Sequence, residues 1–101
     1  MWTKIDRYGR DCGPYSSISG KVREKKFLCI DSNGNVYVNQ PCSFKKEGDK
    51  ILEVFVGGKQ ISIRYRSEGR IRYVVCPGVT YEYEYDPSYD APKRIKDMDV
   101  Y

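Results

Sequence analysis

Histidine is absent from the 101 residues. That removes the commonest general base, the usual partner of a serine or cysteine nucleophile and the nitrogen ligand most used by zinc. Cys12, Cys29, Cys42 and Cys76 are widely spaced with no Cys-x-x-Cys pair, so a thiolate metal site would require four distant residues to converge. Asp31-Ser32-Asn33-Gly34-Asn35 places oxygens at alternate positions, as a calcium loop does. Val36 then stands where the glycine is needed and Cys42 where the closing glutamate is needed. Gly57-Gly58 lacks the flanking pattern and the helix of a phosphate-binding loop. Glu82 and Glu84 lie ~7 Å apart along one strand face, a separation a glycosidase uses, but neighbouring arginines explain them more simply. These absences argue against an enzyme, a metal or a cofactor.

Alanine and leucine are scarce as well: Ala91 is the only alanine, and Leu28 and Leu52 are the only leucines. The apolar content of 40% comes instead from Val, Ile, Phe and ten tyrosines, which favours sheet over helix. No internal repeat, low-complexity tract or membrane-spanning run appears, and residues 1–101 read as one small domain with one core. Even cysteine parity admits two disulfides, as in a secreted, ligand-binding domain. The polar residues directly after Met1, with no apolar leader, tip the expectation toward the cytoplasm and reduced thiols.

Strand registers are legible from the turns. Gly57-Gly58 suits a two-residue hairpin, which sets Val56 opposite Lys59, Val54 opposite Ile61, Leu52 opposite Ile63 and Ile51 opposite Arg64. Ser67-Glu68-Gly69 suits a three-residue loop that sets Arg66 opposite Arg70, Tyr65 opposite Ile71, Arg64 opposite Arg72 and Ile63 opposite Tyr73. For the third hairpin, a two-residue Pro77-Gly78 loop would turn Glu82 and Glu84 inward. A loop of Pro77, Gly78 and Val79 avoids this and predicts Arg72 opposite Glu84, Arg70 opposite Asp86, and Tyr73, Tyr81, Tyr83 and Tyr85 inside.

In the other half, Asp31 to Gly34 and Lys45 to Lys50 read as turns between strands. Residues 1–22 read as loop with a short edge strand near Trp2 to Ile5, Trp2 packing on the core. Residues 87–101 read as a flexible or partly helical tail, with one helical turn over 93–100 as an option. The resulting fold class is all-β: a small antiparallel meander of six to seven strands closing into a barrel, or alternatively a two-layer sandwich.

Charge is uneven. Residues 1–78 carry 15 Lys or Arg against 8 Asp or Glu, and residues 79–101 carry 3 against 6, within the overall +4. Arg64, Arg66, Arg70 and Arg72 fall on one predicted face, and like-charge cross-strand pairs are unfavourable unless used. Arginine also suits bidentate capture of carboxylate or phosphate. The predicted partner-binding residues are therefore these four arginines with Tyr89 and Tyr101, tyrosines beyond the sheet that supply contact area at low entropic cost. The favoured function is a non-enzymatic module that binds another protein through this arginine face and the tyrosine- and acid-rich segment from Tyr81 to Asp90, as an inhibitor or immunity-type factor occluding its partner would; a phage or mobile-element origin is compatible. Nucleic-acid backbone binding is the alternative, disfavoured by tyrosines predicted to lie away from the arginines. No membrane partner is expected.

Overall fold

A computed structural model describes residues 1–99, and these form eleven strands in two antiparallel sheets. Tyr101 and the end of the predicted C-terminal tail lie outside the described residues. The smaller sheet contains β1 (Trp2–Ile5), β2 (Asp11–Tyr15), β3 (Lys21–Glu24), β4 (Leu28–Asp31) and β5 (Val36–Asn39), in the order β2-β1-β5-β4-β3. The larger is a meander of β6 (Cys42–Glu47), β7 (Lys50–Val56), β8 (Lys59–Tyr65), β9 (Ile71–Cys76), β10 (Val79–Tyr85) and β11 (Pro92–Asp99). Neither sheet closes, so the architecture is a sandwich and the expected barrel does not form. The reason is the N-terminal segment: residues assigned mainly to loop supply β1, β2 and β3, which complete a second layer over the meander.

The core lies between the layers. Ile5, Leu28, Ile30, Val36 and Val38 from the smaller sheet meet Ile61, Ile63, Val74, Tyr81 and Tyr83 from the larger, all buried. Alternation explains the choice in β1, where Thr3 and Ile5 point inward and Trp2 is left half-buried outside the core cluster. That corrects the placement of Trp2, and β1 is an interior strand paired with both β2 and β5 rather than an edge. Pro92–Asp99 is likewise neither helix nor tail: β11 pairs with β10 from Tyr85 and Pro92 to Val79 and Asp99.

The first two hairpins form at the predicted loops. Gly57 and Gly58 have φ of 57° and 73°, and Val56 faces Lys59 with Val54 facing Ile61. Gly69, at φ 109°, closes the next loop, where Arg66 N–H donates to Arg70 O at 2.8 Å. Two irregularities then redirect the side chains. Leu52 is the extra residue between the pairs Lys45–Glu53 and Lys46–Ile51, which turns Ile51 inward in place of Leu52. Arg72 is the extra residue between Tyr65–Ile71 and Arg64–Tyr73, so Val74 rather than Tyr73 faces the core. The third hairpin consequently uses the two-residue Pro77-Gly78 loop, with Val79 opposite Cys76 and Tyr81 opposite Val74. The bulge absorbs the slip that made this register look unfavourable, because Tyr73 and Glu82 both end on the outer side.

Ile51 and Ile71 share an arrangement. Pairing of β7 with β8 stops at Glu53 and Ser62, and pairing of β9 with β10 stops at Tyr73 and Glu82, leaving each isoleucine with backbone groups outside the ladder. The loop Asp6 to Arg10 supplies the missing acceptors: Ile51 N–H donates to Gly9 O at 2.9 Å, and Ile71 N–H donates to Arg7 O at 2.7 Å. Tyrosine hydroxyls supply the donors, from Tyr65 to Ile51 O and from Tyr85 to Ile71 O. Lys50 Nζ donates to Tyr8 O at 2.8 Å and to Gly69 O, closing the cluster over the Tyr65 ring. Four such groups left unmet would cost about 1–3 kcal/mol each, a large share of a small domain's stability.

Gly9 is the tightest point of that cluster. A Cβ there would lie 1.9 Å from the Tyr65 hydroxyl oxygen, and its φ is +83°, whereas Gly48, at φ +64°, faces open space. Urea denaturation is therefore expected to show Gly9→Ala losing about 2–4 kcal/mol and Gly48→Ala about 1–2 kcal/mol; equal losses would refute the role given to this loop. Tyr83→Ser should cost about 3–5 kcal/mol and Tyr73→Ser under about 1 kcal/mol. The reverse order would refute the bulge at Arg72.

Candidate functional site

Register places one lateral row of Lys45, Glu53, Ser62, Val75, Thr80 and Met98 across the outer face of the larger sheet. A second row carries Arg64, Tyr73, Glu82 and Lys96. Phe55, between Ser43 and Gln60, stands on the same side and is 41% exposed. Met98 is 37% exposed. Aromatic, aliphatic and charged groups of both signs therefore share one open surface.

The opposite face of the molecule is covered. β2 and β3 occupy the two edges of the smaller sheet, so residues 16–20 must span its width; Tyr15 packs against Tyr37 at 5.7 Å, and Gly20 O accepts from Ser32 N–H at 3.0 Å. Beneath that connection, Tyr37 and Cys29 are buried although they point away from the core. Buried Asp31 accepts from Tyr37 OH at 2.8 Å and from Asn35 Nδ2 at 3.0 Å. Burial, with that carboxylate beside it, pushes the Tyr37 phenol well above its usual range. All four cysteines are free thiols, so no disulfide contributes to the hold between the layers.

The edges are blunted too. β6 carries Lys45 and Lys46, β2 carries Gly13-Pro14, and β3 carries Lys21, Arg23 and Glu24. Arg23 also reaches across the gap between layers, donating from Nη2 to Ile95 O at 2.6 Å and pairing with Asp97, which occupies part of the free side of β11.

The four predicted arginines are divided. Arg64 and Arg72 lie on the outer face flanking Tyr73, and Arg72 sits 3.8 Å from Glu82 rather than opposite Glu84. Tyrosine and arginine are thus not segregated as expected, because the bulge turns Tyr73 outward. Arg66 and Arg70 stand at the base of the 67–69 loop, stacked over the Tyr85 ring at 4.9 and 4.2 Å. Arg70 is only 16% exposed and is held by Glu68 rather than Asp86. It donates from Nη1 to Tyr89 O at 3.1 Å and Asp90 O at 2.8 Å. Its role is to fix the 86–91 loop.

Tyr89 projects from that loop, 69% exposed. The loop is anchored by Asp90, whose Oδ2 accepts from Arg7 Nη2 at 3.0 Å, from Arg7 Nε at 3.2 Å and from Tyr8 OH. Sequence reasoning missed Arg7 and Tyr8, which lie more than 80 positions from Asp90 and show no local pattern. On the far side of the face, Glu84 accepts from Arg94 Nε at 2.7 Å and Lys96 Nζ at 3.3 Å, and these contacts hold its carboxyl below the usual range. No family model, curated protein or solved structure matches this chain, so the assignment of the site rests on its own geometry.

The Tyr8 hydroxyl and Arg7 hold the Asp90 carboxyl below its ordinary value of 3.8. A depressed folded pKa means the anchor is complete above the unfolded value and is lost as pH falls through the lower folded value. The protection factor of the Tyr89 amide, which donates to Asp86 O, is therefore expected to hold above pH 3.8 and to fall below it. Asp90→Asn should show no such transition, and a wild-type profile flat through that range would contradict the anchoring role.

Proposed function

We propose that this protein is a non-enzymatic protein-binding module that uses the outer face of its larger sheet to occlude a partner's surface, as an inhibitor or immunity-type factor does. One observation carries the reading: this face is uncovered and exposes Phe55 and Met98 around half-buried Tyr73 and Val75, while the other face is roofed and the edges are blunted. Aromatic residues, Met and Arg are the types enriched where proteins meet. Six strands at ~4.8 Å spacing and ~23 Å length give a surface of the order of the ~800 Å² per partner that a stable complex buries. Arg64 and Arg72 supply steering charge beside the aromatic centre.

A second reading, binding of a nucleic-acid backbone, is favoured by the position of Tyr73 beside Arg64 and Arg72, a base-stacking group next to phosphate-binding groups. Glu82 and Glu84 interrupt that track. The protein reading therefore leads.

A photo-crosslinking residue at Phe55 is expected to capture a discrete protein from the native source, and the same residue at Tyr15 is not. Phe55→Ala with Tyr73→Ala should weaken binding of the captured protein by about tenfold or more while leaving the melting temperature nearly unchanged. Capture from Tyr15 alone, or undiminished affinity in the double variant, would move the interface elsewhere.

A further inference from the structure

Arg66, Arg72 and Lys93 converge on a groove of about 270 Å³ that runs off the outer face, with Tyr83 and Tyr85 beneath and Glu82 and Glu84 beside it. Their donors are largely unused. Arg66 Nε is buried without a hydrogen-bond acceptor, 3.5 Å from Glu68 Oε1, and among the described residues neither its Nη groups nor those of Arg72 donate a hydrogen bond. Lys93 forms no ion pair among the described residues, its charge acting on Asp86 from a distance, and its backbone belongs to β11. The carboxylates, by contrast, are engaged from the other side: Glu84 by Arg94 and Lys96, and Glu82 by Lys96 at 3.9 Å as well as by Arg72 at 3.8 Å.

Arg66 is held by an aromatic face as well as by an acid, its guanidinium 4.9 Å from the Tyr85 ring centre and its Nε 3.5 Å from Glu68 Oε1. Stacking fixes the plane of the group and leaves its edge free to receive two oxygens. The Nη groups of Arg66, which donate no hydrogen bond among the described residues, are the donors open to an acceptor from outside.

We propose that this groove is an oxyanion site that captures one carboxylate side chain of the protein partner, with Arg66 and Arg72 as the hydrogen-bonding clamp and Lys93 as the flanking charge. The proposal rests on the protein-binding reading and specifies its chemistry. A carboxylate is favoured over phosphate because Glu82 and Glu84 line the groove and Glu68 stands at its end: a single negative charge is tolerated there, whereas a phosphodiester strand would have to pass all three.

The test uses the whole protein, with the Nε–H resonances of its arginines followed by NMR, and a blocked peptide carrying a single glutamate as probe. Saturable shifts are expected at Arg66 and Arg72. Arg66→Gln with Arg72→Gln should weaken the peptide's affinity by about tenfold or more, Lys93→Gln should weaken it by a smaller factor without touching the Tyr85 stack, and Lys21→Gln should leave it unchanged. No shift in the wild type, or equal affinity in the double and Lys93 variants, would overturn the site. An oligothymidylate that binds the groove more tightly than the peptide, with steep salt dependence, would overturn it in favour of phosphate. Crosslinking from Phe55 that persists when the peptide fails would sink the groove alone, whereas peptide binding without any Phe55 capture would sink the wider interface.

Discussion

The loop from Asp6 to Arg10 is the contact on which the sandwich most depends. It belongs to the smaller sheet, yet its carbonyls at Arg7 and Gly9 receive the N–H groups of Ile71 and Ile51 in the larger one. Apolar contact between layers is non-directional and tolerates sliding, whereas these bonds allow a single alignment. Asp6 shapes the loop by accepting from Tyr8 N–H at 2.9 Å and Arg10 N–H at 3.0 Å. The Tyr65 and Tyr85 hydroxyls complete the same two isoleucines. Tyrosine in this chain is therefore as much a backbone ligand as a packing residue.

That constraint reaches the candidate interface through the bulges. Where a strand departs from its neighbour to meet the loop, one residue is added, and every side chain beyond changes face. Arg72 is such a residue, and its insertion brings Tyr73 out between two arginines. Arg7, next in the loop, also holds Asp90 and donates from Nη1 to Asn33 O at 3.2 Å. Assembly of the layers and presentation of Tyr89 are thus coupled through one segment.

The division of labour among the arginines follows from what each can reach. Arg70, lying against the 86–91 loop, finds carbonyls and acids and becomes structural. Arg66, across the hairpin, finds chiefly the face of Tyr85. Arg64 lies among Tyr73 and the Glu53 side chain that Ser62 and Gln60 already bind. Like charges on neighbouring strands are tolerated because rings and bulges separate them and because Glu68, Glu82 and Asp90 pair with Arg66, Arg70 and Arg72.

Local chemistry was enough to read the strand class, the turns at Gly34, Gly57-Gly58 and Gly69, and the burial of Tyr81 and Tyr83, since turn geometry and alternation act over a few residues. The sequence alone also marked Arg64 and Arg72 as outward. Only the tertiary structure decided that Leu52 and Arg72 are bulged, that Trp2 to Glu24 build three of the five strands of a second layer, that Pro92–Asp99 completes a sheet, and that Arg7, Tyr8 and Asp90 meet. Those outcomes depend on which backbone groups remain without a partner once the layers close, and that is a property of the assembled whole that no short window of residues contains.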